Sequence, residues 1–147
     1  MKYIKYFFLF LAVTSLSACF PDNEKLFDGP TVTEFKPIAK TVKLTAAAGS
    51  ADALIQLVGP QQSAEVTIPF VVDASSTAVA GVHYNIAATG SVVKLAANSS
   101  STKIPISLIP GSVTATAGVK LVIDIAGGSA GILPNPNFKR YTLTIVP

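Results

Sequence analysis

From Thr31 onward, apolar side chains recur at every second position, which is typical of β-strands that bury one face. The clearest run places Val66, Ile68, Phe70 and Val72 in alternation with other residues. The other runs with this spacing are Val93 and Leu95; Ile104, Ile106 and Leu108; Val119, Leu121, Ile123 and Ile125; and Tyr141, Leu143 and Ile145. Because no window shows a convincing helical spacing, the pattern predicts an all-β domain.

Three earlier strands are predicted at residues 32–35, 42–45 and 54–58, and Gly, Pro, Asn and Ser cluster between the strands. About seven to eight strands, each with one apolar face, predict an antiparallel β-sandwich in which two sheets cover each other. An up-and-down barrel is the alternative architecture. Pro69 and Pro105 fall inside predicted strands and have no N–H to donate, so we expect sheet edges or bulges there.

The N-terminal segment differs from the rest of the chain. Lys2 and Lys5 give it a basic start, and residues 6–16 form an almost wholly apolar run, which together indicate a secretory signal. The run is well short of the roughly 20 apolar residues that a helix needs to cross a bilayer. Residues 1–18 are therefore predicted to be a signal peptide that directs export without spanning the membrane.

Leu16, Ser17, Ala18 and Cys19 close this segment. They resemble the lipobox of bacterial lipoproteins, which has a branched apolar residue and two small residues before a cysteine. The resemblance implies that the Cys19 thiol takes a diacylglycerol, and that several acyl chains, such as palmitate, hold the protein stably in the outer membrane. An ordinary signal peptide followed by an incidental cysteine is the alternative, although Cys19 is the chain's only cysteine.

Residues 19–30 are rich in Asp, Asn, Pro and Gly and show neither strand nor helix periodicity, so they are predicted to be a flexible tether. Asp22, Glu24 and Asp28 resemble the acidic signal that follows the lipidated cysteine in Bacteroidota lipoproteins. This resemblance implies export to the cell surface, and a plain solvated linker is the alternative. The remaining residues, 31–147, are predicted to form a single β-sandwich domain.

The stretch from about residue 53 to 147 resembles the Calx-beta family of immunoglobulin-like sandwiches. The most specific part is residues 76–84, and the residues that carry it are Thr77, Ala78, Gly81, His83 and Tyr84. Physically, Thr77 and Ala78 can end a strand, Gly81 can adopt a conformation closed to other residues, and Tyr84 can bury its ring. We therefore expect this motif to shape a loop.

The calcium site that the family name suggests does not carry over. The family's aspartate before the tyrosine is His83 here, and its later paired aspartates are replaced by residues 109–113, Ile-Pro-Gly-Ser-Val. Calcium takes about 6–8 oxygen ligands, usually with several carboxylates. The acidic residues of the predicted domain are scattered along the sequence: Glu34, Asp52, Glu65, Asp73 and Asp124. We expect no metal and no cofactor.

The sequence also argues against two other classes of function. Nucleophilic catalysis needs a nucleophile, a base and a group that orients the base, and His83 is the only histidine. We therefore expect no enzyme. Of the eleven basic residues, Lys2 and Lys5 lie in the signal peptide, and no basic run follows to suggest nucleic acid.

What remains is a lipid-anchored envelope module with a structural, adhesive or protein-interaction role, bound to the membrane through Cys19. A partner protein of the outer membrane could contact Val71, Val122 and Val146, which alternate with the core series and should be exposed. A glycan-binding accessory lipoprotein of a polysaccharide-uptake system is the alternative. The chain has no tryptophan, so sugars would stack on Tyr84, Phe138 or Tyr141. Exposed aromatics would favour glycans, and an exposed apolar surface would favour a protein.

Overall fold

The computed structural model describes residues 29–44, 49–114 and 116–147, and these residues form strands joined by turns and loops. One short 3₁₀ turn lies at Thr89–Ser91. The eleven strands of the described residues are β1 (Val32–Phe35), β2 (Ala39–Lys43), β3 (Ala53–Val58), β4 (Val66–Val72), β5 (Tyr84–Ile86), β6 (Val92–Leu95), β7 (Ser101–Ile104), β8 (Ile106–Leu108), β9 (Val119–Ile125), β10 (Leu133–Pro134) and β11 (Arg140–Val146).

Two sheets form the sandwich. One has the strand order β10-β1-β3-β7 and the other β2-β11-β9-β4-β6, while β5 and β8 pair in a separate two-stranded ribbon. Neighbouring strands are antiparallel except that β1 lies parallel to β10 and β2 parallel to β11. The all-β sandwich is therefore confirmed, and the barrel alternative is wrong because the two sheets remain separate.

The alternation in the sequence matches the burial in the structure. In β11, Tyr141, Leu143 and Ile145 are completely buried, and in β4 the side chains of Val66, Ile68 and Phe70 face the same core. The prediction is wrong for Val72, the last member of the β4 series, which is 43% exposed. Each of the buried side chains contributes about 1.5–3 kcal/mol when it leaves water. Packing of these alternate positions is thus the main source of stability, as the absence of a second cysteine already requires.

The number and bounds of the strands differ in places from the sequence prediction. The strand predicted at 32–35 is confirmed as β1, but the strand predicted at 42–45 begins earlier, at Ala39. Eleven strands replace the predicted seven or eight, since β5 and β10 are too short to show an alternating pattern. A further strand arises at Pro105, which separates β7 from β8.

The two strand prolines lie where pairing changes. Pro105 ends β7, which is an edge strand of its sheet as expected. The expectation of an edge is wrong for Pro69, because β4 lies between β9 and β6. β4 pairs with β6 through residues 66–69 and with β9 through residues 70–72, so Pro69 occupies the point where the partner changes. Its missing N–H therefore falls at a discontinuity in the pairing.

The first two strands of the domain, β1 and β2, belong to different sheets. β1 belongs to the four-stranded sheet, and after the crossover at residues 36–38 the chain continues as β2 at the edge of the five-stranded sheet. The N–H of Phe35 donates to the carbonyl of Phe138 at 2.9 Å, and the N–H of Thr142 donates to the carbonyl of Ile38 at 2.9 Å. Both ends of the crossover are thereby fixed against the segment that leads into β11.

Strand direction separates two ends of the sandwich. The described domain starts beside the turn after β3, where Val32 pairs with Val58. β2 runs in the same direction as β1 and lies parallel to β11. The last residues of β11 pair with the first residues of β9. The loops before β9 and after β4 therefore lie at the end opposite to Val32. We call this the distal end.

Two buried hydroxyls, Thr33 Oγ1 and Tyr141 OH, have no hydrogen-bond partner among the described residues. Burial raises the pKa of the Tyr141 hydroxyl, and the charge of Asp52 raises it further.

Tyr141→Phe removes the hydroxyl and keeps the ring, so we expect an unfolding free energy that is unchanged or higher by up to about 1 kcal/mol. Urea unfolding followed by circular dichroism measures this. Tyr141→Ala, the control, should lose about 3–5 kcal/mol, and an equally large loss in Tyr141→Phe would show that the hydroxyl is satisfied.

Candidate functional site

The residues predicted to carry the lipid, Leu16, Ser17, Ala18 and Cys19, lie outside the described residues. Lipidation of Cys19 therefore stays a prediction. Among the residues that the structure does describe, no helix has the length and apolar character required to cross a membrane. Residues 77–84, on which the resemblance to the Calx-beta motif rests, lie at the distal end.

The first half of the motif fastens the chain to β9. The N–H groups of Thr77 and Ala78 donate to the carbonyl of Lys120 at 2.8 and 2.9 Å. The N–H of Lys120 in turn donates to Thr77 Oγ1 at 2.8 Å. β4 has already ended at Val72, so Thr77 and Ala78 do not end that strand as expected. They hold the segment after it against β9.

This attachment also changes the surface. The N–H of Val122 donates to Ser76 Oγ at 2.9 Å, and Val122 is only 7% exposed. The expectation that Val122 is available to a partner is therefore wrong, because the segment between β4 and the motif loop lies next to it. Val71, on the same outer face, is half exposed, and Val146 is partly buried.

The second half of the motif is a tight loop closed on itself. The N–H of His83 donates to the carbonyl of Val79 at 2.9 Å, and the N–H of Val79 donates to His83 Nδ1 at 2.8 Å. Gly81 has φ of 76°, a conformation that side chains with a Cβ rarely adopt, and its N–H donates to the carbonyl of Tyr84 at 2.8 Å. The imidazole therefore serves as a hydrogen-bond acceptor that shapes the loop.

Tyr84 anchors the loop to the core. It is buried, it begins β5, and it pairs with Leu108 of β8. Burial raises the pKa of its hydroxyl. The ring is thus part of the core and offers no platform for a ligand, which removes Tyr84 from the aromatic residues considered for sugar stacking.

The distal loops do not fit a calcium ion. Among the described residues, no three His, Cys, Asp or Glu side chains come together in a group that could hold a metal. In place of the family's paired aspartates, residues 109–113 form a turn in which Ser112 Oγ donates to the carbonyl of Ile109 at 2.6 Å. A hydroxyl already bonded to backbone and a histidine bonded to Val79 do not supply the oxygen ligands that calcium prefers.

One charged cluster was missed by the sequence analysis, which treated the acidic residues as scattered. Arg140 binds Asp124 through two hydrogen bonds of 2.8 and 2.6 Å and also binds Asp73 at 2.8 Å. Hydrogen bonds from the hydroxyl and N–H of Ser75, together with Arg140, hold the pKa of Asp73 below its usual value. The cluster joins the ends of β4, β9 and β11, and both carboxylates are already bonded to one guanidinium. It is therefore a structural clamp.

The three aromatic residues considered for sugar binding lie in different environments. Tyr84 and Tyr141 are buried in the core, whereas Phe138 is 42% exposed. Ile38, which the sequence did not single out, is 45% exposed and lies across a groove from Phe138. The loop at the distal end presents a second apolar surface, since Val79 is 53% and Val82 50% exposed. The other large apolar side chains that are exposed among the described residues are Leu54, Val71, Val72 and Leu133.

The bond between Val79 and His83 can be tested by substitution. His83→Ala removes the acceptor for the Val79 N–H and should lower the unfolding free energy by about 0.5–1.5 kcal/mol. His83→Asp, which restores the residue type of the resembled family, keeps an oxygen acceptor at this position and should lose less. The midpoint of urea unfolding measures both. Equal losses in the two variants would mean that the imidazole has another role.

The fold has known relatives, although no protein-family model matches the sequence and no match was found among curated proteins. The structure is similar to the apo form of the Calx CBD1 domain, with a TM-score of 0.63, 15% identity, and coverage of 80% of this chain and 97% of that one. A Bacteroides ovatus protein of unknown function has a TM-score of 0.60 and 16% identity over 79% of this chain and 46% of that one.

A candidate carbohydrate-binding protein from Bacteroides ovatus is also similar, with a TM-score of 0.57, 9% identity, and coverage of 78% of this chain and 36% of that one. The chain thus spans nearly all of the Calx domain but less than half of either Bacteroides protein. Identities this low concern the fold alone. The described residues have the fold of a Calx-beta-like, immunoglobulin-like β-sandwich.

Proposed function

We propose that this protein is a lipid-anchored module of the outer membrane whose sandwich binds a protein partner, in a structural or adhesive role. The anchor is Cys19, and residues 19–30 are the tether. In this arrangement the membrane lies toward the start of β1, and the distal end points away from the tether. A binding surface at the distal end is therefore the one best placed to reach another molecule.

The apolar tip of the distal loop is the observation that carries this proposal. We define the tip as residues 79–82, in which Val79 and Val82 are each at least half exposed. Two large apolar side chains on one exposed loop favour contact with a protein. Because the loop is fixed by its bonds to His83 and Tyr84, little ordering of the chain is needed when a partner binds.

Catalysis is not part of the proposal. His83 Nδ1 accepts a hydrogen bond from Val79, so this nitrogen is not available to take a proton from a nucleophile. Asp73 and Asp124 are paired through Arg140 and do not flank an open cleft as a general acid and base would. The solved structures with similar folds include a Calx CBD1 domain and a Bacteroides ovatus protein of unknown function.

The experiment places a photo-crosslinking amino acid at position 82 of the full chain in its native cells. We expect one discrete protein adduct after illumination, because the apolar tip contacts the partner. Val79→Asp should remove that adduct while leaving the fold intact, since Val79 is exposed. The control is the same crosslinker at Ala64, an exposed residue in the loop before β4 at the opposite end.

Each result bears directly on the proposal. An adduct that forms at 82, not at 64, and is lost in Val79→Asp supports it. No adduct at 82, or the same adducts from both positions, would rule out a partner at the tip and leave the glycan-binding alternative as the better account.

A further inference from the structure

The last three residues of β4 are paired on one edge only. β4 pairs with β6 through residues 66–69 and with β9 through residues 70–72. β6 begins at Val92, opposite Pro69, and the residues before it form the 3₁₀ turn at 89–91. Among the described residues, the edge of residues 70–72 that faces away from β9 therefore has no strand beside it.

The register shows which backbone groups point to this free edge. In an antiparallel pair, alternate residues direct their N–H and carbonyl groups toward the partner strand, and the residues between them direct theirs away from it. The Pro69 carbonyl and the Asp73 N–H each form a 2.9 Å hydrogen bond with residues 122–126. The N–H and carbonyl groups of Phe70 and Val72 therefore point to the free edge, where no described backbone group bonds to them.

A second free edge borders the same space, on β5. The N–H of Ala87 donates to the Pro105 carbonyl, and the His83 carbonyl accepts the N–H of Ile109. Ile86, which is out of phase with both, therefore points its N–H and carbonyl groups away from β8. Phe70, Val72 and Ile86 all line one groove, which has a volume of about 290 Å³.

The side chains at the free edge of β4 are apolar on both faces. Val71 is 50% and Val72 43% exposed, although consecutive residues point to opposite faces of a strand. Phe70 and Tyr84 are almost fully buried and give the groove an apolar floor. Proteins commonly protect a free edge with lysine or proline, and residues 70–72 contain neither. The edge is thus open to pairing.

We propose that this groove takes up an extended segment of the partner protein, which adds to the end of β4 as a strand of about three residues. The inference rests on the proposed partner at the apolar tip and names the structure by which that partner binds. Ala80 of the tip borders the same groove. One bound segment is therefore close enough to contact the tip as well.

Backbone bonding selects this occupant. Phe70 and Val72 present their donors and acceptors at a repeat of two residues, roughly 7 Å, which is the repeat of an extended polypeptide. A sugar or a lipid chain does not carry N–H and carbonyl groups at this spacing. The added strand has apolar side chains on both faces, because its neighbours across the strand pair are Val71 on one face and Val72 on the other.

The experiment measures amide hydrogen exchange by NMR on the ¹⁵N-labelled full chain in deuterated dodecylphosphocholine. The probe is the acetylated, amidated peptide Lys-Thr-Val-Val-Val-Thr-Lys at saturating concentration. We expect the Phe70 and Val72 amides to exchange about tenfold more slowly with the peptide. The Val71 amide, which already bonds to β9, should not change. The control peptide has N-methylated valines, so it keeps the side chains without their N–H groups, and it should slow neither amide.

A pair of matched variants tests the place of binding. Val72→Lys puts a charge into the apolar groove and should weaken peptide binding at least about tenfold. Leu54→Lys makes the same change at a residue of similar exposure, 41%, on the other sheet and should leave the dissociation constant unchanged. Unchanged urea unfolding midpoints would show that both variants are folded.

The outcomes separate the strand site from the contact at the tip. Slower exchange at Phe70 and Val72 that is lost in Val72→Lys and kept in Leu54→Lys supports the site. No slowing, equal slowing by the N-methylated peptide, or slowing that persists in Val72→Lys would overturn it. An adduct at position 82 without slowing would keep the partner at the tip and reject the strand, whereas slowing without an adduct would keep the strand site and reject the tip.

Discussion

The packing of Phe35 on Tyr141 joins the two sheets, and much of the structure depends on it. Phe35 ends β1 in one sheet, Tyr141 begins the buried series of β11 in the other, and their ring centroids are 5.4 Å apart. Each sheet has one apolar face that must be covered, and this aromatic contact is one of the places where the two faces meet. It lies beside residues 36–38, where the chain leaves β1 and crosses to β2.

The surface features follow from this arrangement. The groove beside Phe138 is lined by residues of the crossover and lies next to the buried Phe35. At the distal end, the loop after β4 is closed by hydrogen bonds between its own residues. Three contacts order that loop. Thr77 Oγ1 accepts a hydrogen bond from β9, His83 Nδ1 accepts one from the Val79 N–H, and the Tyr84 side chain is buried in the core. The same motif thus fixes the fold locally and exposes two valines.

The sequence was most informative where local pattern determines structure. Alternation of apolar residues predicted β1, the buried face of β11 and that of β4 as far as Phe70, because a period of two is a property of single strands. It was least informative where distant segments meet. The pairing of Arg140 with Asp73 and Asp124 depends on strand register, and the groove unites residues from the crossover with Phe138. Val122 was misplaced for the same reason, since the segment that covers it comes from the loop after β4.

The anchor at Cys19 is the claim on which the proposed role depends most. The direct measurement is metabolic labelling of cells with an alkyne-bearing palmitate analogue, followed by detection of the label on the wild-type chain and on Cys19→Ser. The account predicts label on the wild type, no label on Cys19→Ser, and a wild-type chain that fractionates with the outer membrane. An unlabelled wild-type chain would contradict it and would make the protein an exported domain without a lipid.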